Sequence, residues 1–240
     1  MIATGRFADR KLLSHRRHDE PVPSAVAELA GALARGAGIE EVLTKLTLAS
    51  LALVPSADYA KISTIDNGGL FSVAATSKLT TSLDSAQRAA GQGPCLEAIS
   101  ARKIIRCDDL ATDARWPQFA RHATTAGVRS VLSCPIDIPG DTGATLSLFG
   151  VRAEAFGAQS ETVGAMLANH AAIVLVHDKH KRQFRAALAT RDIIGQAKGI
   201  VMARFGVDAT RAFGMLAAIS RDTNTPVRDL AVRLVDSARQ

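Results

Sequence analysis

From Gln159 to Phe205 the chain runs 47 residues without a proline, and no other feature constrains its fold as much. Proline removes a backbone donor and clashes with the preceding turn, so helices tend to end at it. A span this long without one is free to form a single helix, or a helix with one break. Val163, Leu167, Val174, Phe184 and Leu188 fall on one a/d-like register, interrupted by His170, His177 and Lys181. An interrupted heptad suits a helix that pairs two chains without locking them. The same stripe suits an amphipathic helix packed on its own domain.

Charge divides along the same segment. The 64 residues from His177 onward hold 12 Lys and Arg against 6 Asp and no Glu. Their net charge of +6 equals that of the whole 240-residue chain. Residues 1–20 contribute +2 (5 basic, 3 acidic), and residues 21–176 contribute −2 (12 basic, 14 acidic). A small basic module beside a nearly neutral body is the electrostatic footprint of a polyanion binder.

Three helices are legible in the basic module. The first ends at Phe205, with Gly206 placed for a left-handed C-cap. Asp208 caps the second, which lines up Ala212, Phe213, Leu216, Ile219 and Thr223; Phe213 is expected in the core. Thr225 caps the third, Pro226 sits in its first turn, and Val227, Leu230, Ala231, Leu234 and Ala238 form its buried face.

Gly195, Gly199 and Ala203 recur every four residues. Each helical glycine costs roughly 1 kcal/mol relative to alanine. The stripe therefore marks either tight packing inside the bundle or close approach by another backbone. Arg191 and Lys198 share a helix face, with Gly195 and Met202 nearby, and leave a phosphate unobstructed access. Ser220, Arg221, Asn224 and Arg228 cluster at the second turn. Their donors and acceptors suit unpaired bases, and Ser and Asn there equally suit helix-end hydrogen bonding.

Ile194, Ala197, Lys198, Gly199 and Met202, then Ala212, Phe213 and Leu216, then Ser220, Asn224, Arg228, Asp229, Leu230 and Ala231 form a spaced series over three segments. Over about residues 185–235 this series resembles the ANTAR domain. The resemblance implies a three-helix RNA-binding antitermination module that recognises short hairpin loops, two per dimer. Charge, spacing and this resemblance together make Arg191, Lys198, Gly199, Arg204, Ser220, Arg221, Asn224 and Arg228 the candidate RNA-binding residues. Positions that are often basic in that family hold Ala217, Thr225 and Pro226 here.

The body opens with a basic arm over residues 1–23. A helix over Ala25–Ala34 follows, capped by Ser24 and broken by Gly36 and Gly38. The next helix, Ile39–Val54, aligns Val42, Leu46, Ala49 and Leu53 and stops at Pro55. Tyr59–Ile65 and Leu70–Ala75 read as a hairpin joined by Asn67-Gly68-Gly69. Ser77–Ala90 is polar and reads as irregular, helical in part. Gly91-Gln92-Gly93-Pro94-Cys95 turns into a helix that ends near Ser100, and Lys103–Cys107 is a short strand. A helix runs from the Trp116-Pro117 start to about Thr125. Val128–Ile138 and Ala144–Val151 form a long hairpin through Gly140-Asp141-Thr142-Gly143.

This order predicts an α+β domain on an antiparallel sheet. GQGPCLEAI (91–99), DDLATDARWPQFA (108–120), GVRSVLSCPI (127–136) and TLSLFG (145–150) resemble a GAF domain of the kind that precedes ANTAR modules in actinobacterial antitermination regulators. The resemblance covers about residues 24–176. It implies a GAF-type antiparallel sheet with flanking helices and a small-ligand pocket between sheet and loops. Phe71, Cys95, Trp116, Cys134 and Leu148 are the candidate lining residues. The expected organisation is a flexible basic arm (1–23), a GAF-like sensory domain (24–176), a coiled-coil linker helix (177–190) and an all-α ANTAR-like three-helix RNA-binding module (191–240).

Cys95, Cys107 and Cys134 form no C-x-x-C pair and are odd in number, which points to a reducing cytoplasm and no metal site. No apolar run approaches the roughly 18 residues of a membrane helix, and no h-region follows the N-terminal arginines. No H-E-x-x-H, P-loop or G-x-S-x-G is present, so no enzyme and no cofactor is expected.

The expected partners are RNA hairpins in nascent transcripts, a second copy of the chain, and a small-molecule or protein signal at the GAF domain. Two other functions compete. A DNA-binding regulator would need a base-reading third helix, and this one holds only Arg228 and Arg233 without an Asn/Gln series. A Cys-dependent methionine sulfoxide reductase would need an activated thiolate beside a resolving thiol.

Overall fold

The computed structural model describes residue 31 and residues 38–66, 69–140 and 143–238. The basic arm, the Ser24 cap and the expected Ala25–Ala34 helix apart from Gly31, which is helical, lie outside the described residues, as do Asn67-Gly68 and Asp141-Thr142. The chain divides into two compact units between Val176 and His177.

The first unit holds α1 (Ile39–Leu53), β1 (Tyr59–Asp66), β2 (Gly69–Ala75), α2 (Lys78–Ala90), α3 (Pro94–Ala101), β3 (Ile105–Cys107), α4 (Pro117–Thr125), β4 (Ser130–Ile136) and β5 (Ala144–Gly150). The start of α5 (Ala158–Phe205) completes it. The five strands form one sheet in the order β2-β1-β5-β4-β3, antiparallel at every pairing. The strand assignments hold to within a residue or two at each end, as far as element boundaries are ever defined.

Alternation along the strands gives the sheet two buried faces. Ala60, Ile62, Leu132, Cys134, Ile136, Leu146 and Leu148 pack against Val42, Leu43 and Leu46 of α1 and Leu167, Ala171 and Val174 of α5. Gly164 lets the α5 backbone approach this face, since a Cβ there would stand 2.7 Å from Cys134 Sγ. Val131 and Phe149 lie on the opposite face with Leu83, Ala98, Trp116, Phe119 and Ala123. That face also carries Lys61, Ser63, Ser133, Thr145 and Ser147, all buried.

The segment expected to be irregular and only in part helical is a full helix, α2. Ser77 caps it by accepting a hydrogen bond from Leu79 N. Its fully buried positions are Thr80, Leu83, Asp84 and Gln87, three of them polar, and half-buried Leu79 and Ala86 pack beside Leu83 at helical spacing. α1 buries Val42, Leu43, Leu46, Thr47 and Ser50, a face rotated from the expected one that leaves Ala49 and Leu53 half-buried.

α5 is unbroken over 48 residues. Its heptad register is divided: Leu167 and Val174 pack into the first unit, whereas Phe184 and Leu188 are exposed.

The second unit comprises α5 from His177, α6 (Ala209–Asp222) and α7 (Val227–Ser237). Its core is Ala197, Val201, Ala212, Leu216, Ala231 and Val235. Gly206 takes the left-handed C-cap at φ 64°, and Asp208 caps α6 by accepting from Arg211 N at 2.7 Å.

Two expectations need correction. Phe213 is 45% exposed, because it follows buried Ala212 by about 100° around α6. Ile219 and Thr223 are exposed as well. The third helix begins at Val227, with Pro226 extended at its N-cap position and no side-chain cap; the Thr225 hydroxyl donates to the Thr223 carbonyl instead.

Two surface loops of the first unit are fixed by ion pairs. Asp109 accepts from Arg129 Nε at 2.8 Å and Nη2 at 2.5 Å; Asp113 accepts from Arg115 Nη2 at 2.6 Å and from its backbone N at 2.9 Å. The Arg129 hydrogen bond holds Asp109 down at about 2, and the Arg115 hydrogen bond does the same for Asp113. Both folded values lie below the ordinary carboxylate value. Their contribution is therefore present above about pH 4 and is lost as pH falls toward 2. Asp113→Asn should lower stability at pH 7 by about 1 kcal/mol after screening of the half-exposed arginine. It should also flatten the loss of stability between pH 4 and 2, as read from urea midpoints.

Candidate nucleic-acid interface

α5 presents Ala187, Arg191, Ile194 and Lys198 at spacings of four, three and four, which places them on one helix face. With Ala186, Thr190, Gly195 and, from α6, Phe213, they line an open groove of about 690 Å³. Arg191, Lys198 and Gly195 are thus brought together, whereas Met202 is not among the lining residues. Among the described residues no carboxylate pairs with Arg191 or Lys198, and none lines the groove. A Cβ built on Gly195 or Gly199 would meet nothing within 4 Å. The glycine stripe is therefore open and is not used for packing inside the bundle.

Gly199 and Arg204 are exposed on α5 away from the groove lining. At the α6–α7 turn, Arg221, Asn224 and Arg228 are exposed. Ser220 Oγ donates to the Thr225 carbonyl at 2.7 Å, and Asn224 adopts a left-handed φ of 47°. Ser220 and Asn224 shape the turn, and the arginines at its two ends carry its free charge.

The five pocket candidates of the first unit do not converge. Cys134 and Leu148 lie on the α1/α5 face of the sheet, and Cys95 and Trp116 on the α2–α4 side. Phe71 lies on edge strand β2, exposed and stacked under the Arg88 guanidinium at 4.5 Å. Successive strand residues alternate faces, which separates Cys134 from Ser133 and Leu148 from Ser147.

Sequence reasoning missed the polar interior beside α2. Lys61 pairs with Asp84, both essentially without solvent contact, and Lys61 Nζ also donates to the Thr80 carbonyl. Asp84 accepts further from Ser63 Oγ at 2.8 Å and Ser72 Oγ at 2.5 Å. Alongside, Gln87 Nε2 donates to Cys95 Sγ at 3.1 Å, and Ser147 Oγ lies 3.2 Å from the same sulfur. The one available signal was the polar residues at strand positions 61, 63, 133, 145 and 147.

The three cysteines are buried and free, each in a different hydrophobic cluster. Burial pushes the Cys107 and Cys134 thiols up to about 12. Neither is a thiolate at neutral pH, and no resolving thiol stands in the same cluster. Among the described residues no group of three or more His, Cys, Asp or Glu is arranged to hold a metal, and no helix is long and apolar enough to cross a membrane.

The chain thus comprises a two-faced antiparallel α+β unit followed by a basic trihelical unit. The sequence matches the GAF domain over residues 36–176 and the ANTAR domain over residues 182–235. The first match spans more than half of the chain: the protein belongs to the GAF domain family and carries an ANTAR domain after it. A regulator, rather than an enzyme, is what this architecture indicates, since GAF domains are sensors and ANTAR domains are RNA-binding antitermination modules.

Solved structures share the fold of the first unit at low identity. Free methionine-R-sulfoxide reductase from Neisseria meningitidis is 14% identical at a TM-score of 0.54, over 69% of this chain and 91% of that one. The phycoerythrobilin-bound GAF domain of a cyanobacterial phytochrome is 16% identical at 0.53, over 68% and 99%. The GAF domain of a phosphoenolpyruvate-protein phosphotransferase from Coxiella burnetii is 18% identical at 0.51, over 67% and 96%. No curated protein matches the chain.

Proposed function

We propose that the chain is a signal-responsive transcription antitermination regulator that acts in the cytoplasm as a homodimer. The region 24–176 senses a small-molecule or protein signal, helix 177–190 pairs two copies, and module 191–240 binds tandem RNA hairpin loops in nascent transcripts. The observation that carries this is the groove that presents Arg191 and Lys198, without acidic partners, beside open Gly195. Cations there reach phosphate without steric obstruction, and phosphate contacts dominate nucleic-acid affinity. Pairing is supported by residues 181–189, exposed throughout, with Phe184 at 66% and Leu188 at 43%. An apolar pair on a bare helix is covered most simply by the same surface of a second copy.

Direct binding of the full chain to a tandem-hairpin RNA across a salt series tests the reading, with duplex RNA and duplex DNA of equal length as competitors. The hairpin RNA should win, and its affinity should fall steeply with salt, with a log–log slope of about −0.7 per phosphate engaged. Equal affinity for all three nucleic acids overturns RNA recognition, and preference for duplex DNA would favour a DNA-binding regulator.

A further inference from the structure

All three phenylalanines of the second unit, Phe184, Phe205 and Phe213, are exposed, at 66%, 58% and 45%. The core of this unit is made instead of alanine, valine and leucine. A small bundle that leaves its largest apolar rings outside forgoes the burial it most needs, so each ring calls for an external surface to cover it. Phe184 lies on the helix proposed to pair two copies. Phe213 has different neighbours. It reaches from α6 to the groove on α5, where Arg191 and Lys198 stand on the same lining as Ile194, Gly195 and Ala187.

We propose that Phe213 is a base-stacking residue: an unpaired loop base of the RNA lies on its ring while flanking phosphates bind Arg191 and Lys198. This rests on the reading of the module as an RNA binder and goes beyond it. It assigns base contact to a ring outside the backbone-binding residues. Three observations support it. The groove pairs an aromatic surface with two cations, the combination by which single-stranded nucleic acid is held. Its other walls are small or aliphatic, with alanines at 186 and 187 and a glycine at 195 whose missing side chain leaves the space above it open. And charge selects the occupant: with two cations and no carboxylate in the lining, the groove attracts an anion, whereas a second copy of this net +6 module would bring further positive charge to it. A helical stem cannot lay a base face on the ring, so the contact belongs to a loop.

The test compares full-length wild type, Phe213→Ala, Phe213→Tyr and Arg191→Ala/Lys198→Ala on the tandem-hairpin RNA and on the same RNA with abasic loops. Phe213→Ala should bind the intact RNA about 5- to 150-fold more weakly, the range for loss of one stacked base. Its salt slope should not change, because every phosphate contact is kept. Phe213→Tyr should restore most of the affinity. On abasic loops, wild type and Phe213→Ala should bind alike. The charge-deleted variant should weaken on both RNAs with a flatter salt slope. Circular dichroism and thermal unfolding establish that each variant is folded.

Wild type that binds intact hairpins, with Phe213→Ala binding them equally well, overturns the stacking assignment alone. So does equal weakening of Phe213→Ala on intact and abasic loops, or a change in its oligomeric state without a change in RNA affinity, which would make the ring a protein contact. Wild type that binds no hairpin RNA overturns the antitermination reading, and the stacking assignment with it.

Discussion

Asp84→Ala should destabilise the first unit by about 3–5 kcal/mol, the range for breaking a buried ion pair by removing one partner. Lys61 and Asp84 are both sealed from solvent, and the substitution leaves an ammonium in the interior with only the Thr80 carbonyl and the face of the Phe149 ring, 5.3 Å away, to compensate it. It also strands the Ser63 and Ser72 hydroxyls, which lose their common acceptor. For a unit of this size the loss corresponds to about 10 °C in Tm. Removing both charges is a different experiment. Lys61→Met/Asp84→Leu exchanges the pair for apolar side chains and deletes the desolvation cost with the attraction. It should recover most of the lost stability. Urea unfolding of the three proteins decides: if Asp84→Ala unfolds at the wild-type midpoint, the pair contributes nothing to the fold.

Arg191→Ala/Lys198→Ala should weaken hairpin RNA binding about 100-fold at low salt, roughly tenfold for each charge-assisted hydrogen bond to phosphate that is removed. The log–log salt slope should become shallower by about 1.5, since each phosphate released contributes about 0.7 for a single-stranded loop. The fold should be untouched, because both side chains stand in the groove lining without an acidic partner. Arg233→Ala provides the control: an exposed cation on α7 outside the groove, expected to change affinity much less. Equal losses for the control and the double variant would mean that diffuse positive charge, rather than this groove, holds the RNA.

The two experiments probe opposite uses of lysine in one chain. Lys61 is charged and enclosed, so its surroundings must supply every partner that water would have given. Lys198 is charged and half-buried with no carboxylate partner among the described residues, so water or a bound anion can reach it. Nothing in the local sequence around either residue distinguishes them. Lys61 sits in an alternating strand where a charged side chain is expected to face solvent. It faces inward because both faces of this sheet are covered by helices.

Several features were written in the chain itself. The proline-free span became one helix because nothing in it interrupts the i to i−4 ladder. Gly206 and Asp208 ended one helix and began the next by rules that act over three or four residues. The hairpin of β4 and β5 followed from two apolar runs around a glycine-rich turn. The family motifs and the concentration of charge after His177 are likewise properties of residue order alone.

What only the tertiary structure decided is which side chains share a space. α2 did not stand out as a full helix because its most buried positions are largely polar, and Asp84 is at home there only because Lys61 arrives from strand β1. Phe213 looked like core because phenylalanine usually is; the bundle closed without it and left the ring on the wall of a basic groove. Cys95, Cys134, Trp116 and Leu148 seemed equally eligible for one pocket, yet Cys134 and Leu148 point to the α1/α5 face of the sheet, whereas Cys95 and Trp116 belong to segments packed on its other face. Capping, helix continuity and net charge depend on neighbours along the chain, whereas burial and pairing depend on neighbours brought in by folding from distant parts of it.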